Sequence, residues 1–145
     1  MKRTTLLPLA ALALSVACSE RSLDPTEIDV PNLARVHFIG DASCTQVGTN
    51  LLCDFKVAGL GNISTATVTV QAPFACTKTN GGDQFVEPGG LASATQEGVP
   101  VSNGQITVTD FQVTGGPCPD HFGADFGAVA TLIINGVTVG TIPIT

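Results

Sequence analysis

Residues 51–70 read LLCDFKVAGLGNISTATVTV and contain two runs in which every second residue is apolar. The apolar positions are Leu51, Cys53, Phe55 and Val57 in the first run, and Ala66, Val68 and Val70 in the second. A period of two residues is the spacing of one face of a β-strand. Gly59-Leu60-Gly61-Asn62 separates the runs and has the composition of a turn. The stretch therefore predicts two half-buried strands joined by a turn.

The same pattern of short runs rich in Val, Ile, Thr and Phe continues over residues 33–145, beginning with a predicted strand at Ala34–Ile39. No window of eleven or more residues shows a helical stripe. About seven or eight strands at this spacing predict one all-β domain, an antiparallel immunoglobulin-like β-sandwich. Because the chain has no Trp, the prediction concerns the architecture and not a true antibody domain.

Two Asn-Gly dipeptides predict hairpins with type I′ turns, since both turn residues need a positive φ. At Asn103-Gly104, the predicted cross-strand pairs are Val101–Ile106 and Val99–Val108. At Asn135-Gly136, they are Ile134–Val137 and Leu132–Val139.

The apolar positions change parity between Ile106 and Val108 on one side and Phe111 and Val113 on the other. A β-bulge inserts one residue and restores the burial pattern beyond it. The sequence therefore predicts a bulge, or a bend between sheets, near Thr109-Asp110.

The N-terminus has a basic start, Met1-Lys2-Arg3, then an apolar run ending Leu14-Ser15-Val16-Ala17-Cys18. This end resembles the lipobox of bacterial lipoproteins, although Ser15 stands where that class usually has Leu. The resemblance implies a signal peptide over residues 1–17 and lipidation of Cys18. The polar, acidic composition after Cys18, with Pro25 and Pro31, predicts that residues 18–32 form a lipidated N-terminus and flexible tether. Ordinary secretion with cleavage near the same position is the alternative. Ser19, directly after Cys18, resembles the residue that directs such lipoproteins to the outer membrane in bacteria with two membranes.

The cysteine count agrees with export, because lipidation of one of five cysteines leaves four that can pair as disulfides in an oxidising compartment. The segment TQVGTNLL between Cys44 and Cys53 contains a natural reversal, which favours a disulfide between them. Cys76 would then pair with Cys118, and the two other connectivities remain open. A zinc site is the alternative, but its ligands usually come in close pairs.

The chain of 145 residues has a formal net charge of −6, which argues against a nucleic-acid partner. Removal of residues 1–17 would leave four basic and twelve acidic residues, a formal charge of −8. The sequence contains no recognised nucleophile, zincin or phosphate-binding motif. We therefore assign no catalytic residue, no metal ligand and no cofactor.

Two groups of polar residues carry alternatives. Asp83 and Glu87, in a long loop predicted within residues 77–98, offer oxygens for calcium. Asp120, His121 and Asp125 are predicted to lie in one loop and could form a metal site or a general acid–base pair. The alternative is a polar loop without such a role, in which Phe122 and Phe126 pack into the end of the sandwich. His37 is expected to be a half-buried strand residue.

The region from Leu51 onward also resembles a group of small exported bacterial β-proteins. The similarity rests on Gly59-Leu60-Gly61-Asn62, Ala75-Cys76 followed by Asn80-Gly81-Gly82, Asn103-Gly104 and Pro117-Cys118-Pro119. We expect a non-catalytic binding or structural module of the cell envelope, anchored to a membrane by lipid, with an envelope or extracellular protein as partner. The alternative is a metal- or ligand-binding module, or an inhibitor of a secreted enzyme.

Overall fold

A computed structural model describes residues 35–145. The predicted signal peptide (1–17), the lipidation site Cys18 and the tether (18–32) lie outside these residues. Within them the chain forms nine strands and no α-helix. The strands are β1 (His37–Phe38), β2 (Ser43–Val47), β3 (Asn50–Ala58), β4 (Thr65–Asn80), β5 (Asp83–Pro100), β6 (Ile106–Thr114), β7 (Gly123–Phe126), β8 (Val129–Ile134) and β9 (Val137–Pro143). The first predicted strand is thus confined to two residues.

The strands form two antiparallel sheets. In the first sheet, β3 pairs with β6 along one side and with β2 and β1 along the other. In the second, the order is β5-β4-β8-β9, and β7 pairs with β4 beyond the end of β8. Two disulfides complete the structure, Cys44–Cys53 within the β2–β3 hairpin and Cys76–Cys118 between β4 and the segment after β6. The predicted disulfide-stapled all-β sandwich is confirmed.

The core lies between the sheets and is built from the alternating apolar residues. Leu51, Cys53, Phe55 and Val57 of β3 are all buried, as are Ala66, Val68 and Val70 of β4. The other sheet positions add Ile106, Val113, Leu132, Ile134 and Ile142. Each large apolar side chain moved out of water contributes about 1.5–3 kcal/mol, so this alternation supplies the main stabilisation.

The predicted bulge in β6 is confirmed. Phe111 lies opposite Cys53 and Val108 lies opposite Phe55, so Thr109 and Asp110 together face the single residue Asp54. Asp110 has a φ of 53°, and its backbone N–H donates a hydrogen bond of 2.7 Å to Oδ1 of Asp54. The bulge keeps both halves of β6 facing the core.

The Asn135-Gly136 turn joins β8 and β9 as predicted, with φ values of 49° and 81°. Ile134 pairs with Val137, but the predicted Leu132–Val139 pair is wrong, because a register shift places Gly140 opposite Leu132. A Cβ on Gly140 would come within 3.0 Å of the Phe38 ring. The shift therefore brings the residue without a side chain under that ring.

At Asn103-Gly104 the turn is as predicted, with φ values of 52° and 70°, but the strand pairing is wrong. Val99 pairs with Ala66 in one sheet, whereas Val108 pairs with Phe55 in the other. Only an isolated bridge between Ser102 and Gln105 joins the flanking segments. The turn carries the chain across the sandwich, and both valines are buried because they face the core from opposite sides.

Candidate functional site

The β4–β5 hairpin occupies the region in which a long loop is predicted, so the prediction of a loop within residues 77–98 is wrong. The strands continue to Asn80 and restart at Asp83. Gly81 and Gly82 form the turn with φ values of 62° and 93°, the positive φ pair of a type I′ turn. Gly81-Gly82 occupies the two turn positions that Asn-Gly occupies in the other two turns. Gly-Gly is itself a hairpin signal, and it could have revealed this hairpin from the sequence.

The outer half of this hairpin extends past the core. Every residue from Asp83 to Leu91 is exposed, as are Thr79 and Asn80 of the paired strand. The burial of β4 ends near Cys76, where the disulfide to Cys118 holds the strand to the rest of the domain.

One face of the hairpin presents a group of apolar side chains to solvent. The even-numbered residues of β4, such as Ala72 and Cys76, face the core, so Pro73 and Ala75 face outward. Their cross-strand partners are Leu91 and Pro88, and Val86 follows opposite Thr77. Val86 is 62% exposed and Leu91 is 61% exposed. We call Pro73, Ala75, Val86, Pro88 and Leu91 the outer patch.

A shallow depression of about 370 Å³ adjoins the outer patch. It is lined by Pro73, Phe74, Ala75, Asp125, Phe126 and Gly127. Asp125 lies opposite Ala75 in the β4–β7 pair and is exposed. The patch therefore has an apolar centre with one carboxylate beside it.

A bulge at Gly89 shapes the middle of the hairpin, since Phe74 pairs with Gly90 and Ala75 pairs with Pro88. A Cβ on Gly89 would overlap the backbone oxygen of Phe74, a contact that requires the backbone to move.

Substitution Gly89→Val is expected to lower the free energy of unfolding by about 1–3 kcal/mol, because the added side chain has no space. Gly90→Ala is the matched control, because its Cβ would meet only ring carbons of Phe74, at 3.6 Å and beyond. Urea unfolding of both variants checks the prediction. Equal midpoints for the two variants would contradict it.

The other face of the hairpin places Phe85 opposite Lys78. Nζ of Lys78 lies 5.8 Å from the centre of the Phe122 ring, within the range of a cation–π interaction. Phe122 is half-buried and Phe126 is buried, so both contribute to packing at this end of the sandwich.

The polar residues singled out from the sequence are dispersed. Asp120, His121 and Asp125 are all exposed, and residues 35–145 contain no group of three or more His, Cys, Asp or Glu placed to hold a metal ion. Asp83 closes the hairpin turn and Glu87 pairs with Cys76 in the ladder, so the two do not share a loop.

His37 is exposed, and the prediction of a half-buried strand residue is wrong. It lies in the two-residue strand β1, and its Nδ1 is 2.8 Å from the carbonyl oxygen of Arg35, to which it donates a hydrogen bond. Phe38 pairs with the buried Val57 and packs against the core, so the preceding residue, His37, lies on the solvent face of the sheet.

Gln46 of β2 joins the two sheets beside the candidate site. Its Nε2 donates to the carbonyl oxygen of Ala124 at 2.9 Å, and its Oε1 accepts from the N–H of Phe126 at 3.0 Å. The side chain therefore provides hydrogen-bond partners for backbone groups on the edge of β7 that does not pair with β4.

Replacing Gln46 by Leu is expected to destabilise the protein by about 1–3 kcal/mol, because two part-buried backbone groups lose their partners. Gln112→Leu is the control, since Gln112 is exposed on β6. Chemical denaturation measures both variants. A Gln46→Leu variant as stable as the control would show that water replaces these bonds without cost.

A second depression, of about 690 Å³, lies where the β3–β4 turn meets the Asn103-Gly104 turn. Its lining includes Asn62, Ser64, Asn103 and backbone of three glycines, and no acidic or basic side chain. It offers hydrogen-bonding groups but no acid–base pair.

No protein-family model, curated protein or solved structure matches the chain in the three comparisons. Among residues 35–145 we find no helix with the length and apolar character needed to cross a membrane.

Proposed function

We propose that this protein is an exported, lipid-anchored, non-catalytic module that binds a protein partner of the cell envelope through the outer patch. The N-terminal sequence and the two disulfides support export, since disulfides persist in oxidising compartments. The immunoglobulin-like arrangement is part of this proposal, supported by two antiparallel sheets packed around one core.

The observation that carries the binding function is the exposure of Val86 and Leu91 beside Pro73, Ala75 and Pro88. These residues lie on paired strands, so their relative positions are set before a partner arrives. Exposed apolar groups that are contiguous and rimmed by polar residues are typical of interaction sites. Asp125 supplies a charged neighbour, which favours a protein partner over burial in lipid.

The double variant Val86→Ser/Leu91→Ser tests the patch in cells that produce the full chain. We expect it to lose chemical cross-links to a specific envelope protein that the unmodified protein retains. Val47→Ser/Val137→Ser is the matched control, because these valines are also exposed, at 55% and 43%, but lie elsewhere. Equal cross-linking by the two double variants would refute the binding proposal.

Lipidation of Cys18 is tested by intact mass of the mature protein isolated from membranes. We expect a chain that begins at Cys18, carries acyl groups, and gains four hydrogens on reduction of its two disulfides. Cys18→Ser should leave the protein unacylated and soluble. A Cys18→Ser protein that still fractionates with membranes would contradict the anchoring proposal.

A further inference from the structure

The strand edges of residues 35–145 differ in how far they run without interruption. The bulge at Thr109-Asp110 splits β6, a register shift splits β9, and Ile144 and Thr145 cover β2. β7 is covered by Gln46. β5 lies at the end of its sheet and pairs without a shift from Gly90 to Gln96, between its two bulges. It therefore offers the longest regular edge in the described part of the chain.

The hydrogen bonds of β4 determine which backbone groups of β5 are free. Thr67 directs both its N–H and its C=O to Asn135, on the β8 side of β4. Alternate residues of an antiparallel strand bond to opposite sides, so Val68, Val70 and Ala72 bond to β5. Their respective partners are Gln96, Ala94 and Ala92.

The intervening residues Leu91, Ser93 and Thr95 consequently direct their N–H and C=O groups away from the sheet. Their side chains are exposed, and Leu91 belongs to the outer patch. Natural edges are usually protected by charges, proline or bulges. Residues 90–96 contain no charge and no proline, whereas Pro88 and Pro100 limit the edge on either side.

The charges around this edge indicate the chemistry of the segment that would bind to it. β5 carries three acidic residues, Asp83, Glu87 and Glu97, and no basic one. Glu87 and Glu97 are exposed and flank the regular segment at its two ends. A second copy of the chain would bring the same acidic strand and a like net charge to the contact. A segment with a neutral centre and basic ends is complementary to it.

We propose that the Leu91–Thr95 edge binds an extended segment of the partner protein as an added antiparallel strand, with Lys or Arg flanking a neutral centre of about seven residues. Leu91, Ser93 and Thr95 would exchange backbone hydrogen bonds with it, and an apolar side chain beside Leu91 would cover the outer patch. This inference rests on the proposed function and names the partner's chemistry.

The probe is a capped synthetic peptide of about nine residues, with alternating threonine and valine between two arginines. We expect it to bind the folded protein and to slow amide exchange at Leu91, Ser93 and Thr95. The same peptide with glutamates in place of the arginines should bind at least tenfold more weakly at low salt. Equal binding of the two peptides would overturn the basic-end assignment.

Ser93→Pro is the decisive variant, because it removes an outward N–H and leaves the bonds to β4 in place. We expect it to weaken binding of the probe at least tenfold, while Ser93→Ala stays within about twofold of the unmodified protein, because backbone bonds dominate. Circular dichroism verifies that both variants fold. Unchanged probe binding by a folded Ser93→Pro variant would overturn the inference.

Cross-linking in cells separates this inference from the proposed function. Loss of the envelope cross-link in both Ser93→Pro and Val86→Ser/Leu91→Ser supports the added strand. Loss of the cross-link in Val86→Ser/Leu91→Ser alone would overturn the added-strand inference but would still support the proposed binding function of the outer patch. Self-association that Ser93→Pro abolishes, or binding to anionic phospholipid vesicles that Val86→Ser/Leu91→Ser abolishes, would assign the surface to a second copy or to lipid and overturn the inference.

Discussion

Replacing both Cys76 and Cys118 by alanine is expected to lower the free energy of unfolding by about 4 kcal/mol. The bond spans 42 positions of sequence, so its loss restores a large loop entropy to the unfolded chain. It also joins β4, at the base of the exposed hairpin, to a segment without strand structure. Urea unfolding without reductant measures the loss.

Two companion variants control for local effects. Pro117→Ala alters the same loop and keeps the disulfide, so it should stay within about 0.5 kcal/mol of the unmodified protein. Cys44→Ala/Cys53→Ala removes a bond that spans only 9 positions, for which loop entropy contributes about 2.7 kcal/mol. A loss below about 1 kcal/mol for Cys76→Ala/Cys118→Ala would show that this bond contributes little to the fold.

Leu132→Ala is expected to destabilise the protein by about 2–5 kcal/mol. Leu132 has no exposed surface and lies on β8, which pairs with β4 on one side and β9 on the other. Two hydrogen-bonded neighbours limit how far the backbone can collapse into the space left by the side chain. The cost therefore includes a cavity as well as lost apolar burial.

Val137→Ala is the matched control for this substitution. It lies in the same hairpin, but its side chain is 43% exposed, so we expect a change within about 0.5 kcal/mol. Thermal unfolding and urea unfolding both report the difference. Similar losses for Leu132→Ala and Val137→Ala would contradict the placement of Leu132 in the core.

The alternation of apolar residues predicts which side chains are buried, but it does not predict which strands pair. It identifies the core face of β3 and of the first half of β4, and the parity change reveals the bulge at Asp110. At Asn103-Gly104 the same pattern fits a hairpin and a crossing between sheets. Val99 and Val108 are apolar and face inward in both arrangements, so periodicity cannot distinguish them.

The candidate site is hidden in the sequence for a related reason. Gly89 and Gly98 each insert a bulge into β5, and the hairpin beyond the core is exposed on both faces, so no alternation remains to mark a strand. The outer patch combines residues of two strands whose proximity depends on the register around Gly89. The disulfides could be predicted from the sequence, because the chain reversal between Cys44 and Cys53 favours a bond between them and leaves Cys76 to pair with Cys118.

Amide hydrogen exchange in the isolated protein, resolved by NMR, tests the open edge on which partner binding depends. We predict slow exchange at Ala92, Ala94 and Gln96, whose N–H groups bond to β4, and rapid exchange at Leu91, Ser93 and Thr95. Slow exchange at Leu91, Ser93 and Thr95 in dilute protein would mean that this edge is already covered. Rapid exchange at all six would mean that β5 does not pair with β4 here, and either result would contradict the proposed binding edge.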